Sequence, residues 1–398
     1  MGSNNYYIVS AIVNDQQRKK ALFFIILLGI VSLLSDITYE GARSITGQYL
    51  AVLGASGTAV GTIAGLGEFI GYSFRLLSGY LSDRTGKYWM MILGGYAMNL
   101  LAVPLLAFTT TWQMAALLII LERLGKGIRT PSRDALLSYA VQHTGRGWGF
   151  GLHQAMDQTG AVIGPLLVTF LLYFQIGYRT SFAVLAIPAV FTLCVLIISK
   201  MLFPTPQDLE FKLPPLILEN AAKKYWVYLL AISFVALGYV DFALIAYHFE
   251  KVGKIPVAWI PILYAIAMAA DGAAGLIFGK FYDQKGIIVL IILTALTAFF
   301  VILVFFDGFY AAFFGILLWG IGMGAHDSIM KAVVAGLVPI EKRGTAYGMF
   351  NMWFGTAWFL GSAFMGYLYD ISLIGLVIFS LAAQLMAVPL LFYFKSIK

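Results

Sequence analysis

Charge is what this sequence has least of. Asp, Glu, Lys and Arg make up 11% of its 398 residues, against about 25% in soluble domains. That shortage excludes a soluble enzyme and a disordered chain. A single cysteine, Cys194, excludes an internal disulfide framework. Four histidines are present without an H-E-x-x-H arrangement, so no metal site is legible. Neither Gly79…Gly86-Lys87 nor Gly275…Gly279-Lys280 has phosphate-loop spacing, and neither lysine is followed by Ser or Thr. No cofactor is implied, and no ATP-binding loop is legible. What the chain has instead is 61% hydrophobic residues and a mean hydropathy of +0.86, the composition of a polytopic membrane protein.

Apolar runs separated by turn and charge clusters predict twelve membrane-spanning helices. They fall near 21–50, 57–81, 88–109, 112–138, 147–174, 180–202, 224–249, 256–281, 286–306, 309–337, 345–369 and 372–394. At about 20 residues each, twelve spans take roughly 240 residues. The first run follows Arg18, Lys19 and Lys20 as a signal peptide would. It is too long for one, is interrupted by Asp36 and Glu40, and lacks a small-residue cleavage site. A retained first span is expected. Residues 204–223, with four prolines, read as a linker between an N-terminal unit, 1–203, and a C-terminal unit, 224–398.

The net charge of +7 might suggest nucleic acid, but the basic residues lie in short loops between the spans. Fifteen Lys and Arg fall on the side of the N-terminus and three, Arg179, Lys251 and Lys254, on the other. The positive-inside rule then predicts a multi-pass protein of the cell membrane with both termini cytoplasmic. The expected partners are the lipid bilayer, protons and a small-molecule substrate, with no nucleic acid, and the chain is expected to be monomeric.

The halves repeat. Gly79, Asp83 and Gly86 recur as Gly279, Asp283 and Gly286 at an offset of 200. Gly125-Lys-Gly127 recurs as Gly322-Met-Gly324, and Gly147, Gly151 and Gly164 as Gly344, Gly348 and Gly361, at an offset of 197. A duplicated six-helix unit is the mark of a transporter with pseudo-symmetric halves. The loop Gly79-Tyr-Leu-Ser-Asp83-Arg84-Thr-Gly86-Lys87 resembles the cytoplasmic loop signature of the major facilitator superfamily, G-x-L-a-D-r-x-G-r-k. The resemblance extends over the whole chain. It implies an all-α fold of two six-helix bundles around a central cavity and transport by rocker-switch alternating access. It also implies that the loop cluster, with Asp134 as a partner of Arg84 or Lys87, latches the halves in the outward-facing state. Arg123-Leu-Gly-Lys126-Gly127 resembles the superfamily's R-x-x-q-G. Gly160-x-x-x-Gly164-Pro165 resembles the G-x-x-x-G-P of its drug:proton antiporters.

Intramembrane charges are costly and mark functional sites. Asp36, Glu40 and Arg43 share one face of helix one, spaced i, i+4 and i+7. Two acids and one base leave a negative charge unless a proton is bound. Lys126, Arg129 and Arg133 line one face of helix four, where Glu122 precedes Lys126 by four residues. Glu68 and Arg75, spaced i and i+7 on helix two, are candidate partners of helix one or helix four, Asp157 stands in the polar stretch His153-Gln154-Asp157-Gln158, and the C-terminal half holds Asp241, Asp271, His326, Asp327 and Lys331. A local ion pair is the simplest reading of Asp327 and Lys331. These patterns predict proton-coupled secondary transport, with efflux by antiport favoured. Uptake by symport and a non-transporting receptor or scaffold of the same fold remain the alternatives.

Overall fold

The computed structural model describes residues 3–144, 146–205, 222–306, 308–337 and 343–397. Among them there are helices and no strand. Among the described residues, nine segments are long and apolar enough to cross a membrane. They include α1 (Ser3–Val52, with its apolar span from Gln16), α3 (Tyr88–Phe108), α5 (Arg146–Tyr173), α6 (Tyr178–Leu202) and α7 (Lys223–Val252). The others are α8 (Trp259–Lys285), α9 (Ile288–Phe305), α10 (Phe309–Leu337) and α12 (Leu373–Ser396). Three further long helices, α2 (Gly57–Thr85), α4 (Trp112–Thr144) and α11 (Arg343–Ile371), stand between them. The arrangement is consistent with the expected twelve spans. Exposed side chains such as Leu117, Phe170 and Ile374 are apolar, as a lipid-facing surface requires. The predicted linker, 204–223, lies almost entirely outside the described residues.

Glycines set the packing, and they do so twice. A Cβ on Gly127 would strike the Gly71 carbonyl of α2, and one on Gly324 would strike the Asp271 carbonyl of α8. Likewise Gly164 of α5 sits on the Ile37 carbonyl of α1, and Gly361 of α11 on the Leu237 carbonyl of α7. Each second contact is the first moved along by the repeat offsets of 197 and 200. Helices that lack a hydrophobic drive to associate in lipid gain instead from such close approach. Gly160 and Gly164 therefore serve as the groove in which α5 meets α1. The turn glycines repeat as well: Gly86 and Gly286 both take φ of 66°, a conformation that glycine enters without steric cost.

One span departs from expectation. α7 is interrupted at Tyr239–Asp241 and restarts as a helix over Phe242–Val252. Broken backbone inside a membrane must be satisfied by protein. Ser380 Oγ donates to the Gly238 carbonyl at 2.6 Å, Gln384 Nε2 to the same carbonyl at 3.1 Å, and Trp319 Nε1 to the Val240 carbonyl at 2.9 Å. Asp241 caps the restarted helix by accepting from the Ala243 N–H at 2.9 Å.

Candidate functional site: a charged cavity between the half-bundles

A cavity of about 1140 Å³ lies between the two sets of six helices. It runs from mid-chain positions of α1, α4 and α7 to the end of the bundle that carries Gly79, Tyr80, Asp134, Gly151 and Tyr347. That is the end where the lysine- and arginine-rich loops cluster. Its walls bring together Asp36, Glu40, Arg43, Glu68, Arg75, Arg123, Lys126, Arg129, Arg133, Asp134, Asp157 and Asp271. Asp241 and Glu122 border a second cavity of about 30 Å³ directly behind Tyr39, Arg43 and Arg123, room for about one water.

Most of the charges pair between helices; Arg123 with Glu122 and Arg133 with Asp134 pair along α4. Asp36, Glu40 and Arg43 do share the cavity face of α1, yet Arg43 reaches Glu68 of α2 at 3.3 Å and Asp241 of α7 at 3.5 Å. Arg123 of α4 bridges Glu68 at 3.4 Å and Glu122 at 3.6 Å. Glu122 also accepts from Asn99 Nδ2 of α3, so its i+4 neighbour Lys126 is released to approach Glu40 at 3.9 Å. Lys126 and Arg123 both stack on Tyr39, at 3.6 and 4.8 Å from its ring centroid. Glu40 accepts a further hydrogen bond from the Tyr264 hydroxyl of α8. Arg133 donates to Ser32 at 3.2 Å, and Ser32 in turn donates to Asp157. Arg75 stacks on Tyr72 at 4.7 Å and makes no ion pair with Glu68. Sequence reasoning singled out the charged residues but missed Tyr264, Tyr39, Asn99 and Ser32. A lone tyrosine or serine in an apolar span carries no periodic signal.

Among the described residues, two polar contacts of this network cross between the half-bundles: Arg43 with Asp241, and Glu40 with Tyr264. Any change of charge on Glu40 or Asp241 therefore acts on the relation between the halves.

The far end of the cavity is shut. Asp370, at the end of α11, accepts from the Gly57 N–H at 2.8 Å, the Thr58 N–H at 2.7 Å and the Thr58 hydroxyl at 2.6 Å. Its carboxylate thus sits on the N-terminus of α2, where the free N–H groups and the helix dipole favour an anion. Tyr247 donates to the Ala55 carbonyl at 3.0 Å, Tyr178 to Glu250 at 2.9 Å, and Gly47 packs on the Ala243 carbonyl. Charge-assisted bonds of this kind contribute about 1.5–3 kcal/mol each. Asp370→Ala should therefore loosen this end. In a Cys194→Ser background, a cysteine at Thr46, which lines the small cavity behind the seal, should react more than about tenfold faster with an impermeant maleimide added from that side. An unchanged rate would show that the seal does not depend on Asp370.

At the open end the latch residues stand apart. Asp134 is half exposed and pairs with its neighbour Arg133 at 2.9 Å, while Arg84 donates to the Tyr80 hydroxyl at 3.4 Å and, among the described residues, not to Asp134. Asp283 is exposed and Gly279 faces Ser328. The side chains of Asp83, Asp327 and Lys331 lie outside the described residues.

Residues 21–362 match the family model of the Major Facilitator Superfamily. The chain belongs to the major facilitator superfamily. It is 38% identical over 375 residues to the uncharacterized protein Rv2265 of Mycobacterium tuberculosis, covering 92% of this chain and 91% of that one. Over 131 residues, 33% of this chain and 32% of the relative, it is 30% identical to the multidrug resistance protein MdtH of Photorhabdus laumondii. Among solved structures, the nucleoside transporter NupG superposes with a TM-score of 0.72 at 15% identity, over 94% of this chain and 98% of that one. A bacterial homologue of the lysosomal transporter Spinster, in an inward-facing and unoccupied conformation, gives 0.71 at 15% identity over 94% and 97%. These superpositions establish the fold. The protein is accordingly a multi-pass membrane protein of a transporter superfamily.

Proposed function

We propose that this member of the superfamily is a proton-coupled secondary transporter of a small organic solute, working by alternating access, with efflux by proton antiport. The observation that carries the reading is the inter-half pairing of the buried charges. Glu40 and Asp241 belong to different half-bundles: Glu40 pairs with Tyr264 and Lys126, Asp241 with Arg43, and Tyr39 joins the two sets by lying under Lys126 and accepting from Arg43. A proton gained or lost there changes the contacts that hold the halves together, which links protonation to the rocking of one half on the other. The partial likeness to a multidrug resistance protein supports efflux.

With the positive-inside orientation, the cavity opens to the cytoplasm and the Asp370 seal faces outward. Asp83, Arg84, Gly86, Lys87 and their repeat partners Gly279, Asp283 and Gly286 would then close the open end in the opposite state. A cysteine at Thr85, beside that mouth, should label only from the cytoplasmic side. Labelling from outside would reverse both the orientation and the assignment of the seal. The function itself is tested in proteoliposomes holding a trapped pH indicator. A solute gradient should drive a counter-directed proton flux that Glu40→Gln abolishes. Solute movement without proton movement would refute the coupling, co-directed flux would turn antiport into symport, and no movement of any solute would favour a receptor.

A further inference from the structure

We infer that the cavity is built for amphiphilic organic anions, with the anionic group held by Arg129 and the apolar body laid on the methionine- and aromatic-lined wall of the second half-bundle. This specifies the solute class of the cavity described above. It rests on the transporter reading only where flux is measured.

Arg129 is 1% exposed and lines the cavity. Its guanidinium lies 4.1 Å over the Tyr96 ring. Its Nε and Nη1 have no hydrogen-bond partner, and among the described residues it forms no ion pair. The neighbouring cations differ: Arg43, Arg123, Lys126 and Arg133 each lie within reach of a carboxylate. A buried guanidinium left without an acceptor is costly. Charge-assisted, bidentate pairing with a carboxylate, sulfonate or phosphate is what its planar fork is shaped to make. Arg75, whose Nε is likewise buried without a partner, lines the same cavity. Two guanidinium groups of the cavity thus have buried donors to offer an anion. A cation would find Glu40, Glu68 and Asp134 already engaged by Lys126, Arg43, Arg123 and Arg133, and would compete instead for Asp36, which forms no ion pair among the described residues.

Across the cavity the chemistry changes. The wall from α8, α10 and α11 presents Met268, Met323, Met349, Met352, Phe354 and Trp358. Methionines adapt to varied apolar shapes, and aromatic rings supply broad faces for stacking. Trp358 also keeps its indole Nε1 buried without a partner, a second donor for an acceptor-bearing guest. The volume of about 1140 Å³ exceeds the usual range for small-molecule sites, about 300–1000 Å³. It suits a guest with a substantial apolar body better than a simple inorganic anion.

The test uses the full-length protein in nanodiscs, with empty nanodiscs as control, and isothermal titration calorimetry. The probes are 1-naphthoate, neutral 1-naphthalenemethanol and cationic 1-naphthylmethylammonium, nearly equal in shape, with acetate as an anion lacking the apolar body. Naphthoate should bind at least about tenfold more tightly than the alcohol, and the ammonium and acetate more weakly than either. Arg129→Gln should weaken naphthoate by about 10- to 100-fold and leave the alcohol unchanged, while Arg129→Lys should recover part of the loss. Tighter binding of the ammonium than of naphthoate, naphthoate binding indifferent to Arg129→Gln, or no binding of any probe at millimolar concentration each overturns the inference. The charge order in the wild-type protein decides the matter even if the variants fail to fold. Arg129-dependent binding of naphthoate with no flux in proteoliposomes keeps this site and removes the transporter reading. Proton-linked flux of the ammonium with naphthoate inert does the reverse.

Discussion

Glu40→Gln and Asp36→Asn are each expected to retain solute exchange and lose accumulation driven by a pH gradient. Both acids are buried on the cavity face of α1. Glu40 is held between the Tyr264 hydroxyl of one half-bundle and Lys126 of the other. A glutamine still accepts from Tyr264 through its amide oxygen but can neither carry a proton nor answer the charge on Lys126. Asp36 stands one turn away and forms no ion pair among the described residues, so it is free to exchange its proton with the cavity. The driving force at stake is about 1.4 kcal/mol per pH unit, with about 2.3 kcal/mol more per charge for each 100 mV of membrane potential. Losing it should bring the steady-state solute ratio from roughly tenfold per pH unit back to unity. The measurement is solute flux in proteoliposomes with and without an imposed gradient, alongside exchange at equal concentrations. If both variants still concentrate solute as the wild type does, the α1 acids are structural and coupling lies elsewhere, with Asp157 the next candidate.

Asp241→Ala is expected to be the most damaging single change to stability in the network. The residue does two jobs at the break in α7. It caps the helix that restarts at Phe242, and it holds Arg43 at 3.5 Å. Losing a cap costs about 1 kcal/mol. Leaving a buried cation uncompensated costs about 3–5 kcal/mol, reduced here because Glu68 still faces Arg43. A total of about 2–4 kcal/mol follows. Asp241→Asn keeps an oxygen for the cap and loses only the charge, so it should unfold nearer the wild-type temperature while impairing flux as strongly. Thermal unfolding and flux measured on both variants separate the two roles. Equal unfolding temperatures for Asp241→Ala and wild type would remove Asp241 from the structural account of the break.

Much of this architecture was legible before any coordinates. Apolar runs longer than a bilayer is thick fold as helices because no other structure satisfies the backbone in lipid. The repeat was legible because close helix contact tolerates only glycine, so Gly127 and Gly324, or Gly164 and Gly361, had to recur at the matching places. The shared cavity face of Asp36, Glu40 and Arg43 follows from helical spacing alone. Spacing was a weaker guide to partners. It set Lys126 one turn from Glu122, whereas Glu122 pairs with Arg123 and Lys126 with Glu40; Glu68, expected to partner helix one or helix four, meets Arg43 of the one and Arg123 of the other.

The sequence by itself determined the helices, the duplication, the glycine contacts and which residues share a face, because each depends on composition or on periodicity within one span. Only the tertiary structure decided that Arg43 joins α2 to α7, that Tyr264 reaches Glu40 across 224 positions, that α7 breaks at Tyr239–Asp241, and that Asp370 shuts one end. Those outcomes turn on the rotation and axial register of one helix against another. A shift of about 1.5 Å, one residue's rise, exchanges one ion-pair partner for another, and no periodicity within a single span encodes it.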